Sequence, residues 1–70
     1  MRPLVRARRL AAGFTQEHLA QCLGVSRQTV ISIETGRYSP SLALAHKLAQ
    51  VFGCRIEDLF AFDEGETQID

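Results

Sequence analysis

The stretch Thr15-Gln16-Glu17-His18-Leu19-Ala20-Gln21-Cys22-Leu23-Gly24-Val25-Ser26-Arg27-Gln28-Thr29-Val30-Ile31-Ser32-Ile33-Glu34 reads as two short helices joined at a glycine. Leu19, Ala20 and Leu23 recur at helical spacing, the pattern breaks at Gly24-Val25-Ser26, and Val30 and Ile33 resume it on a helix whose other side stays polar. That is a helix-turn-helix pattern. A plain helical hairpin also carries a glycine in its turn, but it has no use for Arg27, Gln28, Thr29 and Ser32 gathered on one exposed helix. Hydrogen-bonding side chains on such a helix suit the major groove of DNA.

Working outward, the spacing predicts five helices and an all-α fold. The first runs from about Pro3 to Ala12 and stops at Gly13; the second has Thr15 as N-cap and ends at Leu23; the third has Ser26 as N-cap and ends at Thr35 before Gly36. The fourth follows Ser39-Pro40, a cap-then-proline start, and buries Leu42, Ala45, Leu48, Ala49 and Phe52 before Gly53. The fifth is short, Ile56 to Phe60. Residues 1–62 are expected to form one domain, and residues 63–70 an acidic, flexible tail.

The segment Thr15 to Ser41 resembles the Cro and phage-repressor (XRE-type) helix-turn-helix family. It carries T-Q-E-x-x-L-A-x-x-L-G-V-S-R-Q-T-V, then I-E-x-G, then P-S after a basic and aromatic loop, and the likeness continues through Leu42 to Phe52 and Ile56 to Phe60. The resemblance implies a repressor-like five-helix bundle that regulates transcription, in its compact stand-alone form, with some relatives adding a short C-terminal strand. Arg8 departs from it, standing where many relatives have an aliphatic residue, so Leu4 or Leu10 is expected to compensate in the core.

The chain's net charge of zero is unevenly distributed. Residues 1–56 hold all eight basic side chains against Glu17 and Glu34, a net of +6, while residues 57–70 hold six acidic side chains and no basic one. A phosphate backbone is drawn to the first part and repelled by the second, so the acidic end should face away from DNA. At 70 residues, the chain is one small domain burying only about 60% of its unfolded surface, which favours a partner subunit. It has no apolar run of membrane-spanning length and no leader pattern, so action in the cytoplasm is expected.

Positions 27, 28, 31, 32 and 35 share a face of the third helix opposite Val30 and Ile33. The resemblance assigns base contacts to its first turns, which carries over to Arg27, Gln28, Thr29 and Ser32. Gln28 has the paired donor and acceptor that fit adenine; Arg27 fits guanine or serves as a phosphate contact; Ser32 pairs with either kind of base edge. Ile31 either meets a thymine methyl or packs against the bundle. Gln16 opens the second helix, where backbone N–H groups and the helix dipole favour a phosphate oxygen and where the family places a glutamine for that purpose. Thr15 and Ser26 are grouped with it. Arg37, Tyr38 and Ser39 form a second phosphate clamp or, alternatively, a solvated turn with Tyr38 on the core edge. Lys47 and the arginines of the first helix add diffuse attraction. The resemblance also implies an ion pair between Arg9 and Glu34, against the alternative of two solvated charges.

One helix-turn-helix reads too few base pairs to find a unique site, so a homodimer on a pseudo-palindromic operator is expected. Phe60-Ala61-Phe62 places two aromatics on one side of an extended segment, and Leu59, Phe60 and Phe62 are assigned to the dimer contact; packing onto the monomer's own core is the alternative.

No enzymatic activity, cofactor, small-molecule ligand or membrane association is expected. His18 and Cys22 have the spacing of two metal ligands on one helix face, with His46 as a further candidate, but without a third and fourth ligand the reading assigns no metal. Cys22 and Cys54 lack paired-ligand spacing and are read as ordinary small residues. The competing function is an antitoxin or restriction-modification controller acting with a protein partner. The short segment after Phe60 favours a stand-alone regulator.

Overall fold

The computed structural model describes residues 2–61, and its architecture follows from four helices packed on one apolar centre. α1 spans Val5–Ala12, α2 Gln16–Leu23, α3 Arg27–Glu34 and α4 Leu42–Phe52. The fifth helix expected over Ile56 to Phe60 is a single 3₁₀ turn, Ile56–Asp58. The chain then extends, and β2 (Phe60–Ala61) pairs antiparallel with β1 (Arg2–Pro3), in register Arg2 with Ala61 and Pro3 with Phe60. The first helix is accordingly shorter than expected, because Pro3 is taken up by this pairing, which Leu4 N–H continues by donating to the Leu59 carbonyl at 2.7 Å. Phe62 and the acidic segment 63–70 lie outside the described residues.

Local chemistry sets the helix ends. Thr15 and Ser26 accept from the backbone N–H groups of His18 (3.0 Å) and Thr29 (3.2 Å), satisfying donors that a first turn leaves unpaired. Between α2 and α3, Gly24 takes φ +73°, and Val25 N–H reaches back to the Ala20 carbonyl at 3.0 Å. A left-handed residue there ends α2 and turns the chain within three residues, which only glycine does without strain. The fourth helix starts two residues later than the cap-then-proline reading expects. Its cap is Ser41, whose hydroxyl accepts from Leu44 N–H at 3.2 Å, and Pro40 precedes the cap rather than opening the helix.

The core is Val5, Leu19, Ala20, Leu23, Val30, Ile33, Ala45, Leu48, Ala49, Leu59 and Phe60, with Phe14, Val25, Leu44 and Phe52 packed against it. Leu42, expected inside, is 77% exposed: in the run Leu42-Ala43-Leu44-Ala45, Ala45 points inward, Leu44 packs on the edge, and Leu42 at the first position of the helix points out. Leu4 and Leu10 do not compensate for Arg8, being 40% and 53% exposed. The C-terminal Leu59 and Phe60 pack into the core with α1's Val5. This corrects the expectation that both serve a dimer contact. At 0% and 6% exposure they have little surface to offer a second copy.

Candidate nucleic-acid interface

α3 is held by its inner face. Val30 and Ile33 are buried, while Arg27, Gln28 and Thr35 are exposed and Ile31 and Ser32 half-buried, so the polar side of the helix is turned to solvent. Thr29 is less free than its position implies. Its hydroxyl lies 3.0 Å from Ser26 Oγ, so the two residues share one hydrogen bond and only one of the two hydroxyl protons remains for another acceptor. Thr15 keeps its own hydroxyl proton, since it caps α2 as an acceptor.

Two shallow depressions flank this face. Gln28, Thr29 and Ser32 form one with Val25, Ser26, Tyr38 and Leu44. Tyr38 is brought there by the turn after α3, where Arg37 N–H and Tyr38 N–H both donate to the Ser32 carbonyl, at 3.0 and 3.1 Å, and Gly36 adopts φ +80°. Arg37 and Ser39 stay exposed beside it. Tyr38 itself is 45% exposed, so it lines the edge of the reading face and is not consumed by the core.

The second depression joins three helices: Arg6 and Arg9 of α1, Thr15, Gln16 and Glu17 at the start of α2, and Arg27 at the start of α3. Two exposed guanidinium groups therefore stand beside two helix N-termini, where unpaired N–H groups and the dipole add positive potential. Glu17 is the opposing charge in the same depression. Arg6, expected to add only diffuse attraction, stands beside Gln16 and Arg27. The sequence carries a signal for this, since Arg6 precedes the inward-facing Arg9 by three positions and so borders the same side of α1.

Glu34 organises this corner. Arg9 Nε donates to Glu34 Oε2 at 2.7 Å and Arg9 NH1 to the Phe14 carbonyl at 2.8 Å, tying α1 to the end of α3 and to the turn before α2. Gln16 Nε2 donates to Glu34 Oε1 at 3.2 Å. The amide of Gln16 is thereby oriented, with a second N–H still available. Lys47, also expected to add diffuse attraction, is instead engaged: its Nζ donates to the Leu23 carbonyl at 3.4 Å, a cation at the C-terminal end of α2.

On the far flank of α1, Asp58 borders a third depression with Leu4, Ala7, Arg8 and Ala11. At about 100° per residue, Arg6 lies on nearly the opposite side of α1 from Arg8 and Leu4, so Asp58 and the two-arginine depression occupy different sides of the molecule. Among the described residues no group of three His, Cys, Asp or Glu could hold a metal ion, and no helix is long and apolar enough to cross a membrane.

Known proteins share this pattern over most of the chain. The sequence profile described as helix-turn-helix matches residues 5–59. An uncharacterized HTH-type transcriptional regulator of Archaeoglobus fulgidus is 53% identical over 66 residues, covering 94% of both chains. Another from Methanothermobacter thermautotrophicus is 55% identical over 65 residues, covering 91% of this chain and 94% of that one. The cryptic phage CTXphi transcriptional repressor RstR of Vibrio cholerae is 35% identical over 66 residues, covering 94% of this chain and 58% of its own length.

Proposed function

The chain belongs to the XRE-type helix-turn-helix family of DNA-binding transcriptional regulators, and from that premise we propose that it is a sequence-specific repressor reading the major groove of double-stranded DNA with α3, as a homodimer on a pseudo-palindromic operator. The observation that carries this reading is the pairing of a solvent-facing polar helix with a cationic depression at its N-terminal end. The first supplies edges for bases and the second a seat for phosphate.

In this reading Gln28 and Ser32 are the principal base readers, with Arg27 at the boundary between base and phosphate. Ile31, half-buried, offers its outer atoms to a thymine methyl. Thr29 and Ser26 act as a pair that donates one hydroxyl proton. Gln16, Thr15 and Arg6 hold phosphate on one side of α3, and Arg37, Tyr38 and Ser39 on the other. The relative named as a phage repressor supports repression as the mode of action.

The homodimer rests on the number of base pairs one module can read. Phe62 is retained as a contact residue, and exposed Leu42 is added as apolar surface that a second copy would cover. Titration of the purified chain with a specific and a scrambled duplex over a range of salt tests the whole reading. It expects a preference of about 10³-fold or more for the specific duplex, with affinity for both falling as salt rises. Equal affinity for the two would overturn it.

A further inference from the structure

We propose that His18 and Cys22 on α2 form a chelating site for a soft divalent metal ion of the zinc type, with the remaining coordination positions taken by water. The two side chains are one helical turn apart, and Cys22 Sγ lies 3.7 Å from His18 Nε2. A zinc ion at about 2.3 Å from a thiolate and about 2.0 Å from an imidazole nitrogen, at a tetrahedral angle, requires its two donors roughly 3.5 Å apart. The observed separation meets that requirement with an adjustment of a few tenths of an ångström, well within the reach of two exposed side chains.

The imidazole has an aromatic neighbour on one side. Phe14 packs against it edge to face, ring centroids 4.8 Å apart at 68°, and the backbone N–H of His18 is fixed by the Thr15 cap at 3.0 Å. The ring nitrogen within reach of Cys22 Sγ is Nε2. Sulfur and nitrogen already stand close enough to share the thiol proton, and a metal ion takes that proton's place. Cys22–SH, neutral His18 and M²⁺ give a thiolate–metal–imidazole unit and one H⁺ released to solvent, with no change of oxidation state.

Among the described residues no third His, Cys, Asp or Glu joins the pair, so these residues supply two ligands and leave the remaining positions to water. Such a site is exchangeable, unlike a closed structural one. Neither residue borders the two depressions assigned to DNA, so the site is independent of that reading and is tested without DNA.

Cobalt(II) added to the reduced full-length chain is the probe, because a Co–thiolate bond gives a near-ultraviolet charge-transfer band. The parent chain and Cys54→Ser should each give a saturable band at one ion per chain, reversed by zinc. Cys22→Ser should abolish it, and His18→Ala should weaken binding by at least the roughly tenfold that even an outer-shell change costs. Both positions are exposed, so the variants remain folded by circular dichroism. No saturable band in the parent at millimolar cobalt, a band that survives Cys22→Ser, or a His18→Ala variant that binds as tightly as the parent would each overturn the proposal.

Discussion

Arg9 and Glu34, twenty-five positions apart in sequence, form a 2.7 Å ion pair whose side chains are only 9% and 3% exposed. Breaking such a pair leaves a largely buried guanidinium without its counter-charge, which costs up to about 3 kcal/mol. Glu34→Ala should therefore lower the unfolding free energy by that amount in a urea melt. Replacing both partners with apolar residues, Arg9→Met with Glu34→Leu, should recover most of it. The double variant lacks the acceptor that orients Gln16, so its DNA affinity should stay below the parent's although its stability returns. A double variant that binds DNA as well as the parent would show that the pair does not position the interface.

Two leucines separate core from surface. Leu59 is 0% exposed and Leu42 77% exposed. Leu59→Ala should cost about 2–5 kcal/mol through reduced burial and the cavity it leaves, whereas Leu42→Ala should change the stability of the monomer by no more than about 0.5 kcal/mol. Denaturant melts at a concentration where the protein is monomeric make the comparison.

The two sets of DNA residues should fail in different ways. Gln28→Ala and Ser32→Ala should each relax base preference by about 1–3 kcal/mol of discrimination while leaving the salt dependence in place. Arg6→Ala and Arg37→Ala should weaken all duplexes alike and reduce the slope of log K against log salt by about 0.9 for each phosphate left without its cation. Fluorescence anisotropy at several salt concentrations distinguishes the two patterns. Discrimination that disappears in Arg6→Ala but persists in Gln28→Ala would invert the assignment.

Much of this was legible in the sequence because it is written in local chemistry. The caps at Thr15 and Ser26 and the left-handed turn at Gly24 depend on residues within one helical turn, as does the inward stripe of Leu19, Leu23, Val30 and Ile33. What escaped depends on contacts between distant parts of the chain. The strand at Arg2–Pro3 exists only through its pairing with Phe60–Ala61, and a two-residue strand carries no periodicity to read. The same pairing draws Leu59 and Phe60 into the core. Leu42 escapes a sequence reading because α4 begins with apolar residues on every side, so periodicity there does not single out an inner face. At the candidate interface, the polar residues of α3 were legible from helical angle. Arg6 is marked in the sequence only by its offset from Arg9, and its place beside Gln16 and Arg27, like the engagement of Lys47, depends on how α1 and α4 lie against α2.

The dimer carries its own expectation. The parent chain should sediment as a dimer at tens of micromolar, and Phe62→Asp or Leu42→Asp should shift it toward monomer while the helical fold persists. A parent that stays monomeric at that concentration, in the presence and absence of operator DNA, would exclude the homodimer.

That α3 reads sequence in duplex DNA is tested most directly by selecting bound sequences from a random duplex library with the purified protein. The expected result is enrichment of a motif with two inverted half-sites about one helical turn apart, and relaxation of defined positions within each half-site when Gln28→Ala is used for the selection. Recovery of an unenriched library by the parent protein at physiological salt, or the same motif from parent and Gln28→Ala with no position relaxed, would contradict it.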